Sequence, residues 1–222
     1  MKGFLRFLIL AVLPVGILVS VLLWSPLLEI RTLDVTGQEK CSTEEILQAS
    51  GLAAGANPLL PIEWRRGEWP RPNLISAAER IRRLPWVETA SVDWLPLHAV
   101  RIRIAERKPF AVLPYLGGSL MLDANGVVLE SVNGDLPADV REIRGIRFAG
   151  YANGRMPETE DPQLLQTGLG VLKALKQSGT GEGPRLFDVV RWVDVLAADR
   201  VDGPTRGVAE GYVAHAEMMA AD

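Results

Sequence analysis

From Phe7 to Leu28 the chain carries no charged residue, a run of 22 positions between Lys2 and Arg6 on one side and Glu29 and Arg31 on the other. At about 1.5 Å per residue a helix of that length reaches about 33 Å, enough for a hydrocarbon core of about 30 Å. A cleavable signal peptide shares the basic start, but its apolar region usually runs only about 7–15 residues. Trp24-Ser25-Pro26 stands where an A-x-A cleavage site would be. The segment therefore reads as an uncleaved anchor. Lys2 and Arg6 hold the short tail in the cytoplasm, and the chain after Glu29 lies on the far side of the membrane.

After the anchor the periodicity changes. Ile30 to Thr36 alternates, with Leu33 and Val35 on one face and Asp34 and Thr36 on the other, which predicts a half-buried strand ending at Gly37. Ser42-Thr43-Glu44-Glu45 is a capping-box pattern opening a helix through Ile46 and Leu47, closed by Gly51. In that register Cys41 precedes the cap and packs on Ile46. A Pro-, Gly- and Arg-rich connection follows, with Trp64-Arg65-Arg66 and Trp69. Its Arg/Trp mixture suits a nucleic-acid or headgroup contact, but a solvated loop with locally packed tryptophans explains it more simply. Asn73 is placed to cap a second helix, in which Leu74, Ala77, Ala78, Ile81 and Leu84 recur at helical spacing. Arg82 and Arg83 complement the helix dipole in its last turn.

Two strands then read as an antiparallel hairpin, Ala90, Val92 and Trp94 facing one way and Val100, Ile102 and Ile104 facing one way on the next. Pairing Trp94 with Val100 sets Asp93 opposite Arg101 on the solvent face. The order is β-α-α-β-β in under 80 residues, a small α+β module with both helices on one sheet face.

Leu84-Pro85-Trp86-Val87-Glu88-Thr89-Ala90-Ser91-Val92, Trp94-Leu95-Pro96 and Ile104-Ala105-Glu106-Arg107-Lys108-Pro109 together resemble the POTRA region of the FtsQ/DivIB cell-division proteins. The resemblance includes Asp34-Val35-Thr36-Gly37 and continues into Leu122-Asp123-Ala124-Asn125-Gly126-Val127-Val128, which is similar to the family's D–x–x–G hairpin. It covers about Lys2 to Glu130.

Beyond it, Ala111 to Tyr115 and Leu120 to Leu122 read as short strands, and Asn125-Gly126 as a type I′ turn. Asp161-Pro162 starts a helix with Leu165, Leu169, Leu172 and Leu175 along one face and Gly179 beyond its end. Gly168 and Gly170 each weaken that helix by about 1 kcal/mol relative to alanine. Leu186 to Val195 suits another strand, and Arg191-Trp192-Val193-Asp194-Val195 looks like a characteristic family strand. From Asp202-Gly203-Pro204 onward no clear alternation remains, whereas members of the family usually continue through further strands.

The expected architecture is α+β. A cytoplasmic tail (1–6) and a single N-terminal transmembrane helix (7–28) precede a POTRA-like module (29–108), a strand-rich α+β domain of the FtsQ/DivIB type (109–200) and an irregular tail (201–222).

Composition narrows the function. Net charge is −3, and Ala111 to Asp222 carries ten bases and sixteen acids, so nucleic acid finds no electrostatic support. A single cysteine excludes an intramolecular disulfide. No H-E-x-x-H motif, Cys/His cluster or G-x-S-x-G context occurs, so no catalytic, cofactor-binding or metal-ligating residue is assigned. Glu158, Glu160 and Asp161 read as a solvated approach to a helix cap rather than a cation site.

The resemblance implies a non-catalytic scaffold in the bacterial cytoplasmic membrane, single-pass with its bulk outside and collected at the division septum. Implied partners are other divisome proteins, including small bitopic coiled-coil ones, with Arg191, Trp192, Val193, Asp194 and Val195 as the candidate partner-binding strand. The competing reading is a POTRA-containing transport or protein-assembly component. Such modules usually occur in tandem or precede a membrane barrel, and neither feature stands in this sequence.

Overall fold

The computed structural model describes residues 2–63, 69–95, 98–178, 186–196 and 213–218, and divides into two compact units, Met1–Glu106 and Arg107–Asp222.

In the first unit, helix α1 (Lys2–Leu23) takes in the basic start and ends short of Leu28; a 3-10 turn follows at Pro26–Leu28. The described apolar side chains of α1 stand exposed, Leu10 at 74% and Leu18 at 69% among them. Among the described residues no helix is long and apolar enough to cross a membrane.

The module proper has strands β1 (Thr32–Thr36), β2 (Val87–Leu95) and β3 (Ala99–Glu106) with helices α2 (Thr43–Ser50) and α3 (Asn73–Ile81). Strand order is β1-β3-β2, with β1 parallel and β2 antiparallel to β3. The expected hairpin register is present, Trp94 opposite Val100 and Asp93 opposite Arg101. Ile46, Ile81, Val100 and Ile102 are fully buried, with Leu33, Val35 and Val92 packed against them. Trp94 lies at the strand end and is 37% exposed, so it is not part of this core.

Ser42 caps α2 as its sequence pattern predicts, its Oγ accepting from the Glu45 N–H at 3.1 Å, and Gly51 closes the helix in the left-handed region. Asn73 differs from expectation. Pro72 is the cap position of α3, and the buried Asn73 instead donates to the Gly51 carbonyl and accepts from Arg80 at 2.5 Å.

The second unit is a six-stranded sheet covered by helix α4 (Pro162–Gln177). Its strands are β4 (Pro109–Tyr115), β5 (Gly118–Asp123), β6 (Val128–Val132), β7 (Arg141–Arg144), β10 (Val190–Leu196) and β11 (Val213–Met218), in the order β11-β10-β7-β4-β5-β6. Strands β8 (Phe148–Gly150) and β9 (Glu158–Thr159) form a separate ribbon. The β4-β7-β10 centre is parallel and the flanks are antiparallel.

Asp161 caps α4 by accepting from the Gln163 N–H at 2.8 Å, with Pro162 at the first helical position. Leu165, Leu169 and Leu172 are buried against Leu113, Leu120, Ile143, Val193 and Val195. Gly168 is not merely a weak helix former. A Cβ there would come within 2.8 Å of Ile143 Cγ2 and 3.1 Å of Val195 Cγ2, so the missing side chain lets α4 approach the sheet.

Three expectations are corrected in this unit. Residues Leu186–Val189 form a short helix, α5, and only Val190 onward is strand. Of Asn125-Gly126 only Gly126 has positive φ, so the turn is not type I′; Gly126 N–H bonds to the Asp123 carbonyl at 3.1 Å. The tail expected to be irregular contains β11. Gly179 and Asp202-Gly203-Pro204 lie outside the described residues.

Candidate functional site

The five residues singled out for partner binding, Arg191 to Val195, lie in β10, which is an interior strand. It pairs with β7 on one side, Val193 opposite Ile143, and with β11 on the other, Val193 opposite Ala216. With a neighbour on each side β10 has no free edge, so it does not present the unpaired backbone on which strand addition depends. Val193 and Val195 are buried against α4. Arg191 sits at a register shift against β11 and is exposed. On the sheet face away from α4, the Arg144 guanidinium lies 4.5 Å from the centre of the Trp192 ring. Next to them, Asp194 stands in register between Arg144 of β7 and His215 of β11.

Among the described residues the outer strand on this side is β11, and the edge shifts to it. Its alternation is present but weak in sequence, Ala214, Ala216 and Met218 interleaved with His215 and Glu217. Alanine is a poor strand former, so a pattern built on it carries little signal. The opposite edge of the sheet is β6.

What sets β10 in place is Arg141, a residue with no distinguishing sequence context. It is buried at 6% exposure and bonds only backbone carbonyls among its described contacts. Nε reaches Phe187 at 2.7 Å, Nη1 reaches Ala138 and Val140 at 2.7 and 2.8 Å, and Nη2 reaches Asp188 at 3.4 Å. Its guanidinium also covers the Phe187 ring at 4.7 Å. Arg141 thereby ties α5, the lead-in to β10, to the start of β7.

The adjacent pair Glu106-Arg107 forms two further clamps, one in each unit. Glu106 accepts from the backbone N–H groups of Glu39, Lys40 and Cys41 at 3.0, 2.8 and 2.8 Å, holding the approach to α2. Burial works against its ionisation, but the backbone donors of Cys41, Lys40 and Glu39 outweigh that and hold its pKa below the ordinary 4.5. Arg107 donates to Asp123 Oδ2 at 2.6 Å, while Asp123 Oδ1 accepts from the Asn125 and Val127 N–H groups, both at 2.8 Å. The E–R and D–x–x–G elements of the resemblance are thus structural fastenings.

Cys41 is buried beside Ile46 in the core of its module. Burial, then the negative charges of Glu106 and Glu45, push its thiol up to about 12, which keeps it protonated and unreactive at neutral pH. Glu158 lies in β9, the Glu160 N–H bonds to the Arg147 carbonyl at 3.0 Å, and Asp161 caps α4. Among the described residues no three His, Cys, Asp or Glu side chains are grouped to hold a metal ion. Trp64, Arg65 and Arg66 lie outside the described residues.

Residues 28–107 match the family POTRA domain, FtsQ-type. The cell division protein FtsQ of Rhodothermus marinus is 28% identical over 174 residues, covering 77% of this chain and 59% of that protein. FtsQ of Corynebacterium glutamicum is 25% identical over 131 residues, 59% of this chain and 53% of its own. FtsQ of Anaeromyxobacter sp. (strain K) is 30% identical over 132 residues, 59% of this chain and 40% of its own. The matched part of each relative is thus 40–59% of its length. The FtsQ-type POTRA domain in its first unit and the repeated similarity to cell division proteins named FtsQ support the FtsQ/DivIB family for this chain.

Proposed function

We propose that this chain is a non-catalytic, membrane-anchored scaffold that recruits and links proteins of the division machinery at the septum. The anchor is α1. Support comes from the charge-free run Phe7 to Leu28, of which α1 takes in Phe7 to Leu23, and from the exposure of Leu10, Val12, Leu13, Val15, Ile17, Leu18, Val19 and Val21 all around the helix. A helix that is apolar all round finds no favourable solvent in water and a matching one in lipid. Lys2 and Arg6 orient it with the chain after Glu29 on the outer side of the cytoplasmic membrane.

The observation that carries the scaffold reading is the outer edge of β11, at the end of the six-stranded sheet. An edge strand offers backbone donors and acceptors in a row, and an extended segment of a partner adds to it as a further strand. The partner class is another division protein, including the small bitopic coiled-coil kind. Proline in β10, at Val193, would disturb the sheet itself and so does not isolate this contact. A photo-crosslinking residue at Ala214 is the sharper probe. In dividing cells it should trap another division protein, and a fluorescent fusion should collect at midcell, with filaments after depletion. Uniform membrane distribution and normal cell length after depletion would overturn the division role; septal localisation without a crosslink at positions 213–218 would overturn the edge.

A further inference from the structure

Chain connectivity brings three exposed apolar groups of the first unit to the end nearest α1. Trp24, just past α1, is 85% exposed. From Trp24 to Ile30 is six residues, a reach of at most about 20 Å. Ile30 is bonded into the connection between α2 and α3, its N–H to the Ala56 carbonyl at 2.9 Å and its carbonyl to the Gly55 N–H at 2.8 Å. Two residues further, the Pro58 carbonyl accepts from the Leu74 N–H at 2.8 Å, in the first turn of α3. The α1-proximal end of the module therefore includes the start of α3 and the residues leading into it. Exposed there are Trp69, at 89%, and Ile75, at 56%.

Trp69 is not on an unfastened loop. Two residues on, Arg71 and Glu63 exchange backbone hydrogen bonds at 2.8 and 3.0 Å. Both are tied to α3 as well, Arg71 to Glu79 and Glu63 to Arg80, while Arg80 also reaches the Ser50 carbonyl at the end of α2. This network holds a large aromatic side chain outward at the edge of the module. An indole combines an apolar body with one N–H donor and suits the headgroup layer, where one side is apolar and the other wet. Arg31, exposed beside Ile30, adds a positive charge facing anionic lipid.

We propose that this α1-proximal rim, with Trp69 and Ile75 as its apolar contacts, is a second membrane contact that seats the first module on the lipid headgroup layer. The inference rests on α1 being the anchor. The same rim would limit tilting of the module about the short link to α1. Arg82 and Arg83, exposed beyond the C-terminal end of α3, belong to the opposite end of that helix and stay in water.

The test uses the full chain reconstituted into vesicles of phosphatidylethanolamine and phosphatidylglycerol. Nitroxide labels are placed at Trp69→Cys and, separately, at Arg83→Cys, each with Cys41→Ala. The label at position 69 should collide with a water-soluble nickel relaxant severalfold less often, and with oxygen more often, than the label at position 83. Equal aqueous accessibility at the two positions, in chains that float with the vesicles, would overturn the rim contact and leave the anchor standing. Chains that do not float would overturn the anchor reading and this inference with it. Quenching of tryptophan emission by lipids brominated near the headgroup, compared between the unmodified chain and Trp69→Phe, gives the same decision without touching Cys41. Loss of a share of the quenching in Trp69→Phe supports the contact, and unchanged quenching overturns it.

Discussion

In the first unit the ion pairs on the sheet stand in solvent. Arg101 and Asp34 have side chains 43% and 54% exposed, Arg103 and Asp93 58% and 43%. In the second unit Arg107 and Asp123 pair at 16% and 5%, and the buried Arg141 donates to backbone carbonyls and covers the Phe187 ring. Exposed pairs are weakened by water, salt and side-chain entropy. Buried charges have lost their hydration, and removing a partner leaves the other stranded. The charges on the first module's sheet therefore add little to its apolar core, its placed charges being Arg80 and Glu106 at the helix ends, whereas the second unit sets Arg107, Asp123 and Arg141 inside its fold.

The largest break in this contrast comes from Asp123→Ala, which strands Arg107 and frees the two N–H groups of the Asn125-Gly126 turn. A loss of about 3–5 kcal/mol is expected. Hydrogen exchange in the full chain in detergent would read it as lost protection in β5 and β6 with β2 and β3 unchanged. A loss below half a kilocalorie would mean that the pair is solvated after all.

Glu106→Gln tests the intermediate case, a half-buried carboxylate held by three backbone donors. It should cost about 1 kcal/mol at neutral pH. Because the folded state holds the Glu106 pKa below the ordinary 4.5, its contribution is present above that value and is lost as pH falls through the folded pKa. The variant and the parent should thus converge in stability as denaturation is followed into acid. A constant gap down to strongly acid pH would show that the carboxylate's charge is not involved.

The smallest effect belongs to Asp93→Ala, which leaves Arg103 in water. About 0.2–1 kcal/mol is expected, shrinking in high salt. A salt-insensitive loss above 2 kcal/mol in chemical denaturation would mean that the two units do not differ in how they use charge.

Much of the first module was legible because its determinants are local. The β2-β3 register follows from two alternations joined by a short turn, and Ser42 and Gly51 mark the ends of α2 within a few residues. What escaped is the partner choice of the charges. Arg101 faces Asp93 across the ladder yet pairs with Asp34 on β1 at 3.1 Å, while Asp93 takes Arg103 at 2.6 Å, because β3 has a neighbour on each side. No local pattern shows what Arg80 and Glu106 bind, since the carbonyl and N–H groups come from elsewhere in the chain.

In the second unit Asp161-Pro162 and the leucine face of α4 were readable for the same local reason. Strands β6 and β7 carry no such local signal, and alanines make the alternation of β11 weak. Consequently the candidate site was legible only as a neighbourhood. Residues 191–195 lie next to the edge, but an edge is a property of the finished sheet, decided by which strand pairs last.

The parallel centre of that sheet also has a consequence in time. Val112 meets Glu142 thirty residues later, and Ile143 meets Val193 fifty residues later. Closing such loops costs entropy before any pairing compensates it, so sheets of this kind fold slowly. Until Val190 to Leu196 has been synthesised, β7 has no partner on its outer side. The nascent chain therefore exposes a raw strand there for as long as synthesis and docking take. An early interruption would leave a species prone to stick to its neighbours, with the first module already folded.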